Sequence, residues 1–193
     1  MRITGGKYKN KVLLTLKQKG ADKRFPIRPT MAKTRQAAFN ILMHASFVEA
    51  NIVEGSVVLD LCCGCGSFGL EALSRGARSA TFIDTSYSNL EIAKKNAASL
   101  AALLDCRFLQ ADITQLPIAD RQYNLVYIDP PYAKTAEVVA VACTRLRDNG
   151  WLAPIHVIIV ESGKKMVMQN IPGIALRQQR SYGNSNLYFL QCE

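Results

Sequence analysis

The sequence predicts an α/β protein whose core is a parallel sheet built from βαβ units and closed by a hairpin. Three observations carry that prediction. From residue 56 onward, short apolar runs alternate with helical stretches, the pattern of strands buried on both faces and joined by crossover helices. The first run leads directly into a glycine-rich turn and a helix. The last two runs, 174–180 and 186–191, flank the polar turn Ser181-Tyr182-Gly183-Asn184-Ser185, which signals a hairpin rather than another crossover.

In chain order, residues 2–16 read as two short strands, Arg2-Ile3-Thr4 and 11–16, on either side of a polar turn. Residues 17–27 form a lysine-rich loop that closes on Arg28-Pro29-Thr30. Thr30 can cap a helix running through Arg35, Phe39, Ile41 and Leu42. Five strands follow at 56–61, 79–83, 106–110, 123–128 and 156–161, with helices near 68–75, 87–103 and 135–147 between most of them. Residues 1–50 are therefore expected to form a basic extension of hairpin, loop and helix, and residues 51–193 the catalytic domain.

A chain of 193 residues suits one α/β domain with an appendage. It contains no run of about eighteen apolar residues, which argues against a membrane role. The start, Met1-Arg2-Ile3-Thr4-Gly5-Gly6-Lys7, is basic but lacks the apolar stretch and cleavage site of a signal peptide, so a cytoplasmic protein is expected. The cysteines Cys62, Cys63, Cys65, Cys106, Cys143 and Cys192 do not form a disulfide framework, and reduced thiols are expected. Zinc at Cys62, Cys63 and Cys65 would need a fourth ligand, and His44 and His156 stand far off without ligand-like spacing, so no metal is expected.

The net charge of +9 is localised. Residues 1–50 hold 11 Lys/Arg against 2 Asp/Glu, while residues 51–193 hold 13 against 13. An excess confined to one end of an otherwise neutral body points to a polyanion partner, with Lys7, Lys9, Lys11, Arg28 and Arg35 among the candidate contacts.

The segment Val57-Val58-Leu59-Asp60-Leu61-Cys62-Cys63-Gly64-Cys65-Gly66-Ser67-Phe68-Gly69 is a buried strand entering a glycine-rich turn, where backbone can approach a ligand closely. Gly64, Gly66 and Gly69 also satisfy G-x-G-x-x-G, which makes a nicotinamide or flavin dehydrogenase the rival reading. Asp60 separates the two. A carboxylate at the mouth of the turn repels a pyrophosphate but favours S-adenosylmethionine, which carries an ammonium and a cationic sulfur and no phosphate. Asp84, ending the second strand, is positioned to accept from ribose hydroxyls, and Asp112, after the third, from an adenine amino group.

The deciding motif is Asp129-Pro130-Pro131-Tyr132, directly after the apolar run 123–128. The exocyclic amines of bases are poor nucleophiles because their lone pair is delocalised into the ring, so a site that methylates them must hold the nitrogen with acceptors. The Asp129 carboxylate and the Pro130 carbonyl can each accept an N–H. Pro130 and Pro131 stiffen the turn, and Tyr132 can stack on the base. A stacked or paired target would have to be flipped out to reach them.

These motifs resemble the bacterial small-subunit (16S) rRNA guanine-N2 methyltransferases of the RsmD type from end to end. The resemblance runs through Met1-Arg2-Ile3 with Gly6-Lys7-Tyr8-Lys9, Arg28-Pro29-Thr30 with Arg35 and Phe39-Asn40, the segment from Phe68 to Ala77, and Asp129 to Tyr132. It implies a class I, Rossmann-like methyltransferase fold with seven strands, the last antiparallel, and an N-terminal basic extension that grips rRNA. It also implies S-adenosylmethionine as cofactor, with Asp60, Cys62, Gly64 and Gly66 on its methionine side, Asp84 on the ribose and Asp112 on the adenine. Asp129, Pro130, Pro131 and Tyr132 would hold the target base, with Arg28 and Thr30 approaching from the extension.

Two positions depart from the family pattern: Cys62-Cys63-Gly64-Cys65-Gly66 replaces Phe-Ala-Gly-Ser-Gly, and Asp84 replaces a more usual glutamate. Thiols beside the turn are expected to make cofactor binding sensitive to alkylation. The expected reaction is N2-methylation of one guanine of small-subunit rRNA within a ribosomal particle, by a monomer. The alternatives are an adenine-N6 methyltransferase of DNA or RNA, since Asp-Pro-Pro-Tyr reads an amine and not a ring, and a nucleic-acid-binding module without catalysis.

Overall fold

The computed structural model describes residues 1–15, 30–130 and 135–193. Seven strands, β1 (Val57–Leu61), β2 (Ser79–Asp84), β3 (Cys106–Gln110), β4 (Tyr123–Ile128), β5 (Leu152–Gly163), β6 (Ile174–Tyr182) and β7 (Ser185–Cys192), form one sheet. Their order is β3-β2-β1-β4-β5-β7-β6. The first five run parallel, and β7 is antiparallel to both β5 and β6. The helices are α1 (Thr30–His44), α2 (Ser67–Ser74), α3 (Tyr87–Ser99) and α4 (Thr135–Asp148). The expected fold class is therefore realised, including the antiparallel close.

The central parallel strands β1, β2, β4 and β5 are buried on both faces over most of their length because helices cover both, while β3, at the sheet edge, stays largely exposed. Val58, Leu125, Tyr127, Val157 and Ile159 face a core shared with Phe39 and Leu42 of α1, Phe68 and Leu70 of α2, and Ala93 and Ala97 of α3. The alternate residues Leu59, Leu61, Val126, Ile128, Ile158 and Val160 face a second core with Val139, Cys143 and Leu146 of α4. This strict period of two is what a pleated strand imposes. Ile3 and Leu13 of the N-terminal segment are also buried in the first core.

Three elements differ from the expectation. The N-terminal hairpin exists, but its pairing is a single bridge, Arg2 to Val12. Thr4 leaves the ladder because its backbone N–H and hydroxyl donate instead to the Glu71 carboxylate. The third helix stops at Ser99, and Ala101 turns with φ 54° into a short 3-10 turn, Leu103–Asp105. Strand β5 starts at Leu152, earlier than expected, because Leu152 already pairs with Tyr123 across a local register shift.

The register decides where chemistry can occur. Leu61 pairs with Ile83 and with Ile128, Asp84 with Gln110, and Ile128 with Val160, so the carboxyl ends of β1 to β4 finish at one level, and β5 runs past it to Gly163. Chain order reverses between β1 and β4, and the crevice outside such a switch point is where open α/β sheets bind ligands.

Candidate active site

At that crevice a cavity is lined by Asp60, Cys62, Gly64, Asp129, Tyr127 and Glu161, with Arg35 and Phe68 beneath. Of the residues expected from sequence, Asp60, Cys62, Gly64, Asp129 and Arg35 thus meet in one space. Gly66, Asp84, Asp112 and Pro130 are not among the residues that line it. Arg28, Pro131, Tyr132 and the side chain of Thr30 lie outside the described residues.

Asp60, the penultimate residue of β1, is 2% exposed and accepts a hydrogen bond at 2.9 Å from Gly69 N in the first turn of α2. It therefore caps a helix N-terminus as well as lining the cavity. Burial pushes its carboxyl up to about 7, the Gly69 bond opposes that, and the negative charge of Asp84 adds to it. A neighbouring cation would pull this value back down.

The glycine turn is built by close approach. A Cβ on Gly69 would lie 2.5 Å from the Phe82 ring, so only glycine lets α2 settle against β2. Gly64, at φ 54°, has open space where a side chain would project, which leaves backbone exposed to a ligand. Its N–H donates at 2.9 Å to Asp84 Oδ2.

Asp84 also accepts from Ser86 N at 2.9 Å, and the Asn89 amide reaches both of its oxygens at 3.2 Å. These contacts engage roughly all four lone-pair directions of a carboxylate. In this arrangement Asp84 braces the turn. Asp112 is exposed and caps the short 3-10 turn Ile113–Gln115, accepting from Thr114 N and Oγ1 at 2.8 Å each. Those two bonds lower its pKa.

Two expectations need correcting on physical grounds. Arg35 does not lie on the surface with the other cations: it is 2% exposed, with Nε 2.9 Å from Glu71 Oε2 and Nη2 donating to the Arg2 carbonyl at 2.5 Å. Glu71, fully buried, also receives Thr4 and Arg75. Burial would raise its pKa, but the Thr4 bonds and the charge of Arg35 outweigh it and hold it low. The second correction concerns the thiols. Burial, followed by the charges of Asp84, Asp129 and Asp60, pushes Cys62 up to about 12, and burial raises Cys63 and Cys65 as well. Protonated thiols are poor nucleophiles, which removes the basis for ready alkylation.

The sequence reading missed Glu161. It lies in β5, directly after Val160, is 4% exposed and accepts a short hydrogen bond from the Tyr127 hydroxyl. Burial first, then the charges of Glu161 and Asp129, keep that phenol protonated. Tyr127 stacks on Phe68 with centroids 4.0 Å apart, and Phe68 stacks on Phe39 of α1 at 4.8 Å. The signal was available: Glu161 is an acid directly after the apolar run 157–160, the same pattern that singles out Asp84 and Asp129.

The acidic mouth, with Asp60, Asp129 and Glu161 lining it and Asp84 behind, suits a cationic ligand and disfavours a pyrophosphate. The family described as conserved hypothetical protein 95 matches residues 1–191. The chain belongs to this family. Relatives of the family member include the ribosomal RNA small subunit methyltransferase D of Escherichia coli, 31% identical over 89% of this chain and 79% of that protein. The protein of that name from Haemophilus influenzae is 30% identical over 85% and 79%. An uncharacterised methylase of Rickettsia prowazekii is 27% identical over 99% and 97%. Among solved structures, an E. coli chain provisionally assigned as a methyltransferase superposes with a TM-score of 0.81 at 28% identity, covering 100% of this chain and 98% of that one. An RNA methyltransferase from Salinibacter ruber, solved with S-adenosyl-L-homocysteine, shares the fold at TM-score 0.62 and 16% identity, over 84% and 92%.

Proposed function

We propose that this chain transfers a methyl group from S-adenosylmethionine to the exocyclic N2 amine of a guanine in small-subunit ribosomal RNA. The observation that carries the reading is the convergence, at one switch-point cavity, of the buried Asp60, the open Gly64 turn and Asp129. Relatives named as small-subunit rRNA methyltransferases support the substrate class.

Bound S-adenosylmethionine would supply a methyl group on a cationic sulfur, electrophilic enough for an amine to take directly. Asp60 would answer the positive charge of the ligand, and the Gly64 turn would let backbone lie against it. Asp129 and the Pro130 carbonyl would accept the N–H bonds of the base amine, turn its lone pair outward and stabilise the charge that grows on nitrogen. Asp129 is also the acceptor placed to receive the departing proton. No thiol nucleophile is used. Pro131 and Tyr132 complete the motif, Tyr132 as a stacking surface.

Residues 1–50 would grip RNA. Lys7, Lys9 and Lys11 are exposed on the hairpin, with Lys7 4.8 Å over the Tyr8 ring, and Arg28 and Thr30 follow in the same basic extension. Among the described residues no helix is long and apolar enough to cross a membrane. A monomer in the cytoplasm acting on a small-subunit particle is the working form we propose.

The test is incubation with labelled S-adenosylmethionine and either naked rRNA or small-subunit particles from a strain lacking the modification, followed by nucleoside mass spectrometry. N2-methylguanosine is the expected product. Label in no RNA, or N6-methyladenosine in its place, overturns the reading.

A further inference from the structure

We infer that Glu161 is a specificity-determining residue that reads the N1–H of the target base, so that the site accepts guanine and rejects purines without that proton. This rests on the methyl-transfer reading above and adds to it a second carboxylate with a task different from that of Asp129.

The placement follows from the sheet. Ile128 and Val160 pair in parallel register, and the next residues along the chain are Asp129, just past β4, and Glu161, within β5. Both line the same cavity. Glu161 is 4% exposed, and a nearly buried carboxylate needs hydrogen-bond donors to offset its lost hydration. Its environment orients it: the Tyr127 hydroxyl donates to Oε2, and Tyr127 is itself pinned by the Phe68 stack at 4.0 Å with planes 5° apart. The carboxylate is thus held in a fixed direction beside the residue proposed to hold the amine.

The chemistry of the base edge supplies the complement. Guanine presents two neighbouring donors, N1–H and the N2 amine. A motif that only grips an amine cannot tell this edge from adenine, whose amine stands beside an unprotonated N1. A carboxylate next to the amine-binding acceptors makes the distinction, because it accepts from N1–H of guanine but sets lone pair against lone pair with adenine. A site built to hydrogen-bond a substrate N–H strongly rejects an analogue lacking it. An apolar residue at this position would offer no such choice.

The experiment compares two small-subunit rRNAs in particles, one natural and one carrying 2-aminopurine at the guanine mapped from the wild-type product. 2-Aminopurine keeps the N2 amine and lacks N1–H. Wild-type protein should methylate it about 10²-fold more slowly in kcat/KM, the discrimination of a good bidentate base contact. Glu161→Gln, nearly isosteric and still able to accept from Tyr127, offers an N–H to the bare N1, so it should lose guanine activity and shrink that ratio to within about tenfold. Tyr127→Phe keeps the stack but frees the carboxylate, and should shrink the ratio partially. Thermal unfolding and S-adenosylhomocysteine binding of both variants identify any that fail to fold, and the ratio within each variant is independent of how much is folded. Equal losses on both RNAs, leaving the ratio unchanged, overturn the role of Glu161 while sparing methyl transfer. Absence of product from natural RNA with wild-type protein overturns the methyl-transfer reading and this assignment with it.

Discussion

Arg35 Nε lies 2.9 Å from Glu71 Oε2, and this buried pair ties the N-terminal segment to the helix that follows the glycine turn. Through Arg35 the pair also holds the Arg2 carbonyl, and through Glu71 the backbone and hydroxyl of Thr4. Removing one charge strands the other without water. Glu71→Gln should therefore destabilise the fold by about 3–5 kcal/mol, the usual cost of breaking a buried pair from one side. Urea unfolding should show a lower midpoint at an unchanged slope. Because Glu71 is held below its ordinary 4.5, its contribution is present above that value and is lost as pH falls through the lower folded value. Wild type and variant should converge in acid, and a gap that persists there would refute the linkage.

Asp60 titrates in the opposite sense. Its folded value is raised from 3.8 to about 7, so the proton it holds stabilises the fold below 3.8, and that stabilisation is lost as pH rises through about 7. A cationic ligand prefers the ionised form. Affinity for S-adenosylmethionine should then rise by up to about tenfold per pH unit below 7 and level off above it, with proton release on binding. Calorimetry in buffers of different ionisation enthalpy measures that release. In Asp60→Asn the pH dependence should vanish.

Asp129 is expected to matter to the rate more than to donor binding. Asp129→Ala should cost roughly 10²-fold or more in kcat, with the dissociation constant for S-adenosylmethionine nearly unchanged. Matched losses in both would mean that Asp129 holds the donor rather than the amine. Single-turnover methylation and equilibrium binding on the same preparations separate the two.

The exposed lysines of the hairpin make a different prediction. Reversing Lys7, Lys9 and Lys11 to glutamate should weaken RNA binding and flatten its dependence on salt, by about 0.7–0.9 in the log–log slope for each lost phosphate contact. Donor affinity should stay as it was. An unchanged salt slope would take the hairpin off the RNA.

The sheet and most of the site were legible because strand periodicity is local: buried runs, glycines and terminal acids declare themselves within about ten residues. Asp60, Gly64 and Asp129 could be picked out in this way, and the parallel register then brings them to one edge. Arg35 was misjudged for the opposite reason. Its sequence neighbours are cations, but its partner Glu71 is 36 residues away on another helix, and only the packing of α1 on α2 joins them. Asp84 was legible as a strand-end acid, while its occupation by Gly64, Ser86 and Asn89 depends on side-chain directions that no spacing rule reports.

The cysteine turn gives the last prediction, and it runs against the first impression that three crowded thiols make. Reactivity follows the thiolate, and at neutral pH a thiol pushed up to about 12 has a thiolate fraction on the order of 10⁻⁵. Four aspartates, Asp84, Asp129, Asp60 and Asp112, all act on Cys62 in the same direction, and burial acts first. Iodoacetamide at pH 7.5 should therefore label Cys62, Cys63 and Cys65 far more slowly than a free cysteine, and all six should label at ordinary rates once the chain is unfolded in denaturant. Peptide mass spectrometry over time measures each site. Replacing Asp84 or Asp129 by asparagine should speed labelling of Cys62 by withdrawing one repelling charge, with a smaller gain for Asp112→Asn, whose contribution ranks last. Fast labelling of Cys62 in the native protein would mean that the turn opens to solvent, and the acidic mouth proposed for the donor would have to be redrawn.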